Sequence, residues 1–245
     1  MPSGVDMRAL VADYVRTPFQ RAHRGEFKDT RPEDLGKTVV RSLLSRNSVP
    51  NDTIEDLMVG CAYPEGEQGL NIGRILTYMS GLPVTVPGMT TNRLCGSSMQ
   101  IIHTAAGSIT MGSGDAFICA GVESMSRIQR GGFNRTPHPT LLDQMPEAYI
   151  NMGLTAENLA QSHNISRGEQ EKFAALSHSK AIAATKNGYF SDEIVSVNGF
   201  NEDGCMRKPD LTKMSNLQPA FVDDGTVTAA TSSPLTDGAS AVMVC

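Results

Sequence analysis

Five short apolar runs punctuate this chain, and stretches of helical periodicity separate most of them. They are residues 8–13, 57–62, 84–89, 116–121 and 237–245. Each is too short to be a helix, and several read as unbroken rows of Val, Ile, Leu, Met, Ala and Cys. Strands that are apolar at every position belong to a sheet covered on both faces. Alternation of such strands with helices predicts an α/β layered domain built on a mostly parallel five-stranded sheet.

The intervening segments carry helix signals. Thr30-Arg31-Pro32-Glu33 has the spacing of a capping box and precedes a stripe of Leu35, Val39, Val40, Leu43 and Leu44. Residues 71–79 form a second helix, stopped by Gly81 and Pro83. A third helix runs from Cys95 to about Met111. After Ser124 the pattern changes: residues 127–150 are rich in Arg, Pro, Gly and Asn. Helices follow from Thr155, and Ser166-Arg167-Gly168-Glu169 opens the longer one with a second capping box. Residues 193–197 read as a possible further strand, and the small-residue pattern returns at Gly225. We therefore assign 1–123 and 225–245 to one α/β domain, and 124–224 to an inserted α-rich domain. The run ending at Cys245 reads as a core strand with nothing to cover it, so the natural chain is expected to continue.

The chain has 245 residues, 40% apolar and 19% charged, with a formal net charge of −5. That balance argues against nucleic acid or an anionic membrane as the main partner. No run of 18 apolar residues exists to span a bilayer. Residues 1–6 lack the basic and apolar regions of a signal peptide. The five cysteines, Cys61, Cys95, Cys119, Cys205 and Cys245, show no CxxC pair and no metal-ligand spacing with His, so no metal site is expected. Free thiols in a reducing compartment, either bacterial cytoplasm or an organelle matrix, fit an odd count.

Cys95 is the candidate for chemistry. A thiolate at a helix N-terminus faces unpaired N–H groups and the positive end of the helix dipole, both of which favour the nucleophilic anion. Gly96, Ser97 and Ser98 leave room beside it. A single Cys before a helix is also a common packing thiol, and no base is in evidence. His103 lies eight residues along the same helix, about 12 Å away by axial rise. His23, His138, His163 and His178 have no spacing that links them to Cys95. Cys61 and Cys119 sit in strand runs as packing thiols.

Asn92-Arg93-Leu94-Cys95-Gly96-Ser97-Ser98 resembles the acyl-enzyme cysteine motif of the thiolase family. Arg16-Thr17-Pro18-Phe19, residues 120–126, residues 152–158, Gly225-Thr226-Val227-Thr228 and Thr236-Asp237-Gly238-Ala239 are similar to other segments of that family, in the same order. The resemblance implies the N-terminal half of a thiolase-like layered fold with its inserted loop domain. It implies acyl transfer between Cys95 and coenzyme A: thiolytic cleavage of a 3-ketoacyl-CoA to acetyl-CoA and a shortened acyl-CoA, or the reverse Claisen condensation. Coenzyme A and acyl-CoA would be substrates, with no permanently bound cofactor. Met152, Arg207, Leu217 and Ser233 match positions near coenzyme A. Asn151 and Thr231 depart from many biosynthetic members and lean toward the degradative ones.

The same resemblance puts an Asn-Glu-Ala-Phe segment, an activating His in Gly-His-Pro and an acid/base Cys in Cys-x-Gly on a second half, which this sequence is read as lacking. The chain alone would then be inactive. Assembly as a homodimer or homotetramer is implied too. Two other classes stay open: a non-catalytic thiolase-like protein that binds acyl-CoA or lipid, and a redox thiol protein. The lack of a resolving Cys speaks against the last.

Overall fold

A computed structural model describes residues 9–245. The readings made of residues 1–6 and of Arg8 lie outside those residues. The described chain forms two compact units. The first comprises the described part of Met1–Phe133 together with Asp192–Cys205 and Leu235–Cys245; the second is Asn134–Ser191 with Met206–Pro234.

The first unit is a six-stranded mixed sheet with helices on it. In chain order its elements are β1 (Val11–Arg16), β2 (Gln20–Arg21), α1 (Pro32–Arg46), β3 (Asp56–Gly60), α2 (Ile72–Ser80), β4 (Gly88–Thr91), α3 (Ser97–Thr110), β5 (Phe117–Ser124) and β6 (Thr236–Val244). The strand order is β1-β6-β5-β3-β4, with the short β2 also paired to β6. The parallel sheet expected from the strand–helix alternation is present where helices intervene: β3 pairs in parallel with both β4 and β5. The remainder corrects that expectation, because β6 is antiparallel to β5, β1 and β2. No single crossover helix carries the chain from β5 to β6. The excursion through the second unit returns it at the end of the sheet where β5 finished, Asp237 beside Ser124, so β6 pairs antiparallel.

Period-two alternation explains why the central strands are apolar at every position. Leu57, Val59, Ile118 and Ala120 join Leu35, Val39, Leu43 and Leu76 in a cluster with α1 and α2. Met58, Phe117 and Cys119 face the other way, onto Ile101, Ala105 and Ile109 of α3.

Several local expectations are corrected. The first strand begins later than residue 8 and is an edge, leaving Leu10, Val11 and Tyr14 more than half exposed. Residues 84–86 form a turn, and β4 starts only at Gly88. Pro83 and Pro87 have no N–H to give a ladder, and the Arg74 guanidinium takes up the carbonyls of Val84 and Val86. The capping box at Thr30 does not form. Arg31 is the N-cap of α1, and its guanidinium holds the Glu33 carboxylate that the box required. Residues 193–197 make two isolated bridges instead of a strand.

The second unit holds four helices: α4 (Pro139–Gln144), α5 (Met152–Ser162), α6 (Arg167–Lys186) and α7 (Leu211–Ser215). The capping box at the start of α6 does form: Ser166 Oγ accepts from Glu169 N, and the Glu169 carboxylate accepts from Ser166 N. Residues 192–205 belong to the first unit because Arg16 gathers them. Its guanidinium contacts Glu193 at 2.6 Å and both carboxylate oxygens of Asp203 at 2.8 and 2.9 Å. Asp203 also accepts from Phe19 N at 2.7 Å.

Candidate active site

Cys95 stands in the turn between the end of β4 and the start of α3, and its side chain is exposed. Local hydrogen bonds define the turn. Asn92 Oδ1 accepts from Leu94 N at 2.9 Å, and Arg93 O accepts from Gly96 N at 3.1 Å. Ser97, almost wholly buried, bonds twice: its Oγ accepts from Arg93 N at 2.8 Å and donates to Leu94 O at 2.6 Å. Leu94 sits at φ +49°, in the left-handed region that a branched side chain rarely occupies. Gly96 is the N-cap of α3, so the thiol lies just ahead of a 14-residue helix.

What seats this turn is the absence of two side chains. Gly60, the last residue of β3, is in register with Gly121 of β5. A Cβ on Gly60 would come within 2.5 Å of Ser98 N and 2.7 Å of the Ser97 carbonyl carbon. A Cβ on Gly121 would overlap Ser98 Oγ. The first turn of α3 therefore rests its backbone on Gly60, a contact only glycine permits, and its Ser98 side chain on Gly121. Helix and strand ends together fix where Cys95 projects.

Beyond this pair β3 and β5 part, and side chains take over from the ladder. Glu123 Oε2 accepts from Ala62 N at 2.7 Å, while its Oε1 accepts from Gln68 Nε2 at 2.6 Å. Gln68 is fully buried; its Oε1 accepts from Ser124 N at 2.7 Å and its Nε2 also donates to Tyr63 O at 2.9 Å. Burial raises the Glu123 carboxyl above its ordinary range, against the lowering effect of the bonds from Ala62 and Gln68. Fully buried Asp237 accepts from Ser126 N at 2.8 Å and from the hydroxyls of Ser124 and Ser126 at 3.2 and 2.5 Å.

The other thiols differ sharply. Burial pushes Cys61 and Cys119 up to about 12, so neither is a thiolate near neutrality. Cys119-Ala120-Gly121 has the Cys-x-Gly spacing the sequence reading found wanting, but it lies inside β5 and offers no accessible acid or base. The histidines have positions of their own. His103 is exposed on α3, His23 donates its backbone N–H to Ser126, and His138 Nδ1 accepts from Leu141 N in α4. His163 ends α5, and His178 accepts from Arg207 N at 3.4 Å. Burial, then the Arg207 charge, lowers the His178 pKa.

Met152, Arg207, Leu217 and Ser233 all fall in the second unit and all are exposed. Met152 opens α5 behind Asn151, whose side chain caps the helix by accepting from Leu154 N at 3.0 Å. Arg207 extends an N–H toward Ala229 O at 3.5 Å. The carbonyl of Leu217 accepts from Arg167 at 2.6 Å. Ser233 Oγ lies 3.5 Å from Pro234 O.

Glu157 and Thr226 stand far apart in the sequence, in separate motif segments, and the fold joins them. The Glu157 carboxylate accepts from Thr226 N and Oγ1 at 2.9 Å and from Val227 N at 2.8 Å. Beside this clamp lies a mainly apolar cavity of about 480 Å³, lined by Ala156, Leu159, Ile165, Phe173, Val227 and Thr231 among others.

A mixed sheet with helices on it, and a helical insertion between two of its strands, defines an α/β protein of layered class with an exposed thiol at a helix start. The family model for the thiolase N-terminal domain matches residues 9–245, and the chain belongs to the thiolase family. It is similar to a 3-ketoacyl-CoA thiolase of Saccharophagus degradans, at 42% identity over 96% of this chain and 63% of that protein. It is also similar to one of Bacillus subtilis, at 41% identity over 96% of this chain and 65% of that protein. Among solved structures, human mitochondrial 3-ketoacyl-CoA thiolase in complex with CoA superposes with a TM-score of 0.84. There the identity is 32%, covering 98% of this chain and 65% of that one. The chain thus spans slightly less than two thirds of the length of these relatives.

Proposed function

We propose that the intact gene product is a thiolase-type acyltransferase and that Cys95 is its acyl-accepting nucleophile. The observation that carries this is the contrast between Cys95, exposed at the start of α3, and the buried thiols of β5 and of the segment after β3. In the degradative direction the Cys95 thiolate attacks the 3-keto carbon of a 3-ketoacyl-CoA. The bond between carbons 2 and 3 breaks, the electron pair leaves with the acetyl-CoA fragment, and that carbanion takes up a proton. Coenzyme A thiolate then attacks the Cys95 thioester and leaves with the shortened acyl group, returning the enzyme thiolate. Backbone N–H groups at the start of α3 are candidates to steady the oxyanion in both steps. Activation of the thiol is assigned to residues outside this chain, since neither His23 nor His103, the histidines of the same unit, has a hydrogen bond to Cys95.

Coenzyme A serves as a substrate in this scheme, bound without a permanent cofactor. Met152 and Ser233 are assigned to its pantetheine arm, Leu217 to an apolar contact and Arg207 to its phosphates; all four lie in the second unit, which this reading makes the coenzyme-binding domain. A homodimer or homotetramer in the cytoplasm or an organelle matrix completes the proposal. Among the described residues no helix is long and apolar enough to cross a membrane. The apolar cavity beside Glu157 favours one alternative, a non-catalytic binder of acyl-CoA or lipid.

Incubating the intact gene product with acetyl-CoA, then digesting it and weighing the peptides, separates the two. The enzyme reading expects an acetyl group on the Cys95 peptide and none after Cys95→Ser. Binding of acyl-CoA with an unmodified Cys95 peptide would sink it in favour of the carrier.

A further inference from the structure

The ladder between β3 and β5 ends at Gly60 and Gly121, the two residues on which α3 is seated. Anything that alters the spacing of the strands at that point moves the seat, and with it the turn that carries Cys95. Past the pair, no backbone bond joins Ala62 to Glu123 or Gln68 to Ser124; the Gln68 and Glu123 side chains make those connections. Glu123 lies two residues beyond Gly121 on the strand face that meets α3, roughly 7 Å further along. Each oxygen of Glu123 takes a donor, and Gln68 presents its amide group to Glu123 and its carbonyl to Ser124 N. The arrangement is directional: it needs a carboxylate on one side and an amide on the other.

We propose that Gln68 and Glu123 form a clamp that positions Cys95 by holding the parting ends of β3 and β5 at the spacing the Gly60–Gly121 seat requires. They are positioning residues, and the inference rests on Cys95 being the nucleophile. Glu123→Gln turns an amide N–H₂ toward either the Ala62 N–H or the Gln68 amide, so two donors meet and one bond is lost. Gln68→Glu sets two carboxylates against each other. The double variant Gln68→Glu with Glu123→Gln reverses the central bond, keeps the acceptors for Ala62 N and Ser124 N, and forfeits the bond to Tyr63 O.

The test uses the intact gene product and all three variants. Single-turnover acetylation of Cys95 by acetyl-CoA gives a maximal rate and a half-saturating concentration, and thermal unfolding is followed in parallel. Each single variant is expected to lower the maximal rate about tenfold while half-saturation shifts less than twofold. The double variant should recover to within about threefold of the parent. The clamp is refuted if the singles acetylate at the parental rate, or if the double variant is no faster than the singles. It is refuted equally if the rates follow only the fraction of folded protein. Should the parent itself fail to acetylate, the acyltransferase reading falls. The clamp is then judged by native-state alkylation of Cys95 with iodoacetamide, where the same pattern of loss and recovery supports it and equal rates in all four proteins reject it.

Discussion

Two loops of small residues are held in this protein by opposite physics. The turn bearing Cys95 is seated by what Gly60 and Gly121 lack: the helix backbone touches Gly60, and the Ser98 side chain fills the space over Gly121. The loop at Thr226 and Val227 is held by what Glu157 supplies, one carboxylate collecting several donors. Steric closeness carries no charge and is indifferent to pH, but it tolerates no added atom. A carboxylate clamp fails when its charge is removed.

Gly60→Ala should have the largest effect, because the atoms it strikes are backbone atoms of Ser97 and Ser98 that have nowhere to go. A loss of about 3 kcal/mol in denaturant unfolding is expected, together with a displaced Cys95. A stable Gly60→Ala protein with normal Cys95 alkylation would end the steric account. Glu157→Ala comes next, at about 2 kcal/mol, since the bonds from Thr226 and Val227 to a charged acceptor are lost. Gly121→Ala should cost only about 1 kcal/mol, because the atom in its way is a side-chain hydroxyl. Adding Ser98→Ala should restore most of that loss, and failure of the rescue would mean the backbone, not Oγ, sets the limit.

The acid limb of the stability curve sharpens the comparison further. For Glu157, burial raises the pKa, but the bonds from Thr226 and Val227 outweigh it and the net shift is downward. Its contribution is therefore present above the ordinary carboxylate range and fades as pH falls through the depressed pKa. Glu123 is shifted upward by burial, so its contribution is present below the ordinary range and fades as pH rises through the raised pKa. Unfolding measured across that range should lose opposite slopes in Glu157→Gln and Glu123→Gln. The smallest effect on folding is expected for Arg207→Ala, whose exposed side chain has one long contact to Ala229 O. Its melting temperature should be unchanged while coenzyme A affinity, read by calorimetry, weakens several-fold.

These contacts also show what a sequence carries openly. Local features were legible: Ser166 and Glu169 lie three apart and form their box, and Gly81 ends α2 at φ +80°. The place of Cys95 just ahead of a helix was legible through its neighbours in the chain. The Thr30 box failed because Arg31, adjacent in sequence, competed for Glu33, and the strand expected at 84–89 starts only at Gly88 because Pro83 precedes it and Pro87 lies within it. The Gly60–Gly121 seat, the Gln68–Glu123 bond and the Glu157 clamp join residues 55 to 70 positions apart. No periodicity encodes strand register over such distances. The sense of β6 was hidden too, since the excursion before it says nothing about the end of the sheet at which it re-enters.

Leu94 adds a consequence in time. Its left-handed backbone costs of order 1 kcal/mol or more, which the local bonds at Asn92 and Ser97 help to offset. The rest of the compensation comes when β4 is paired and α3 has docked on the two glycines. The thiol should therefore reach its working orientation at the close of folding, after the sheet is complete. Cys95 alkylation during refolding would follow a slower clock than the recovery of secondary structure.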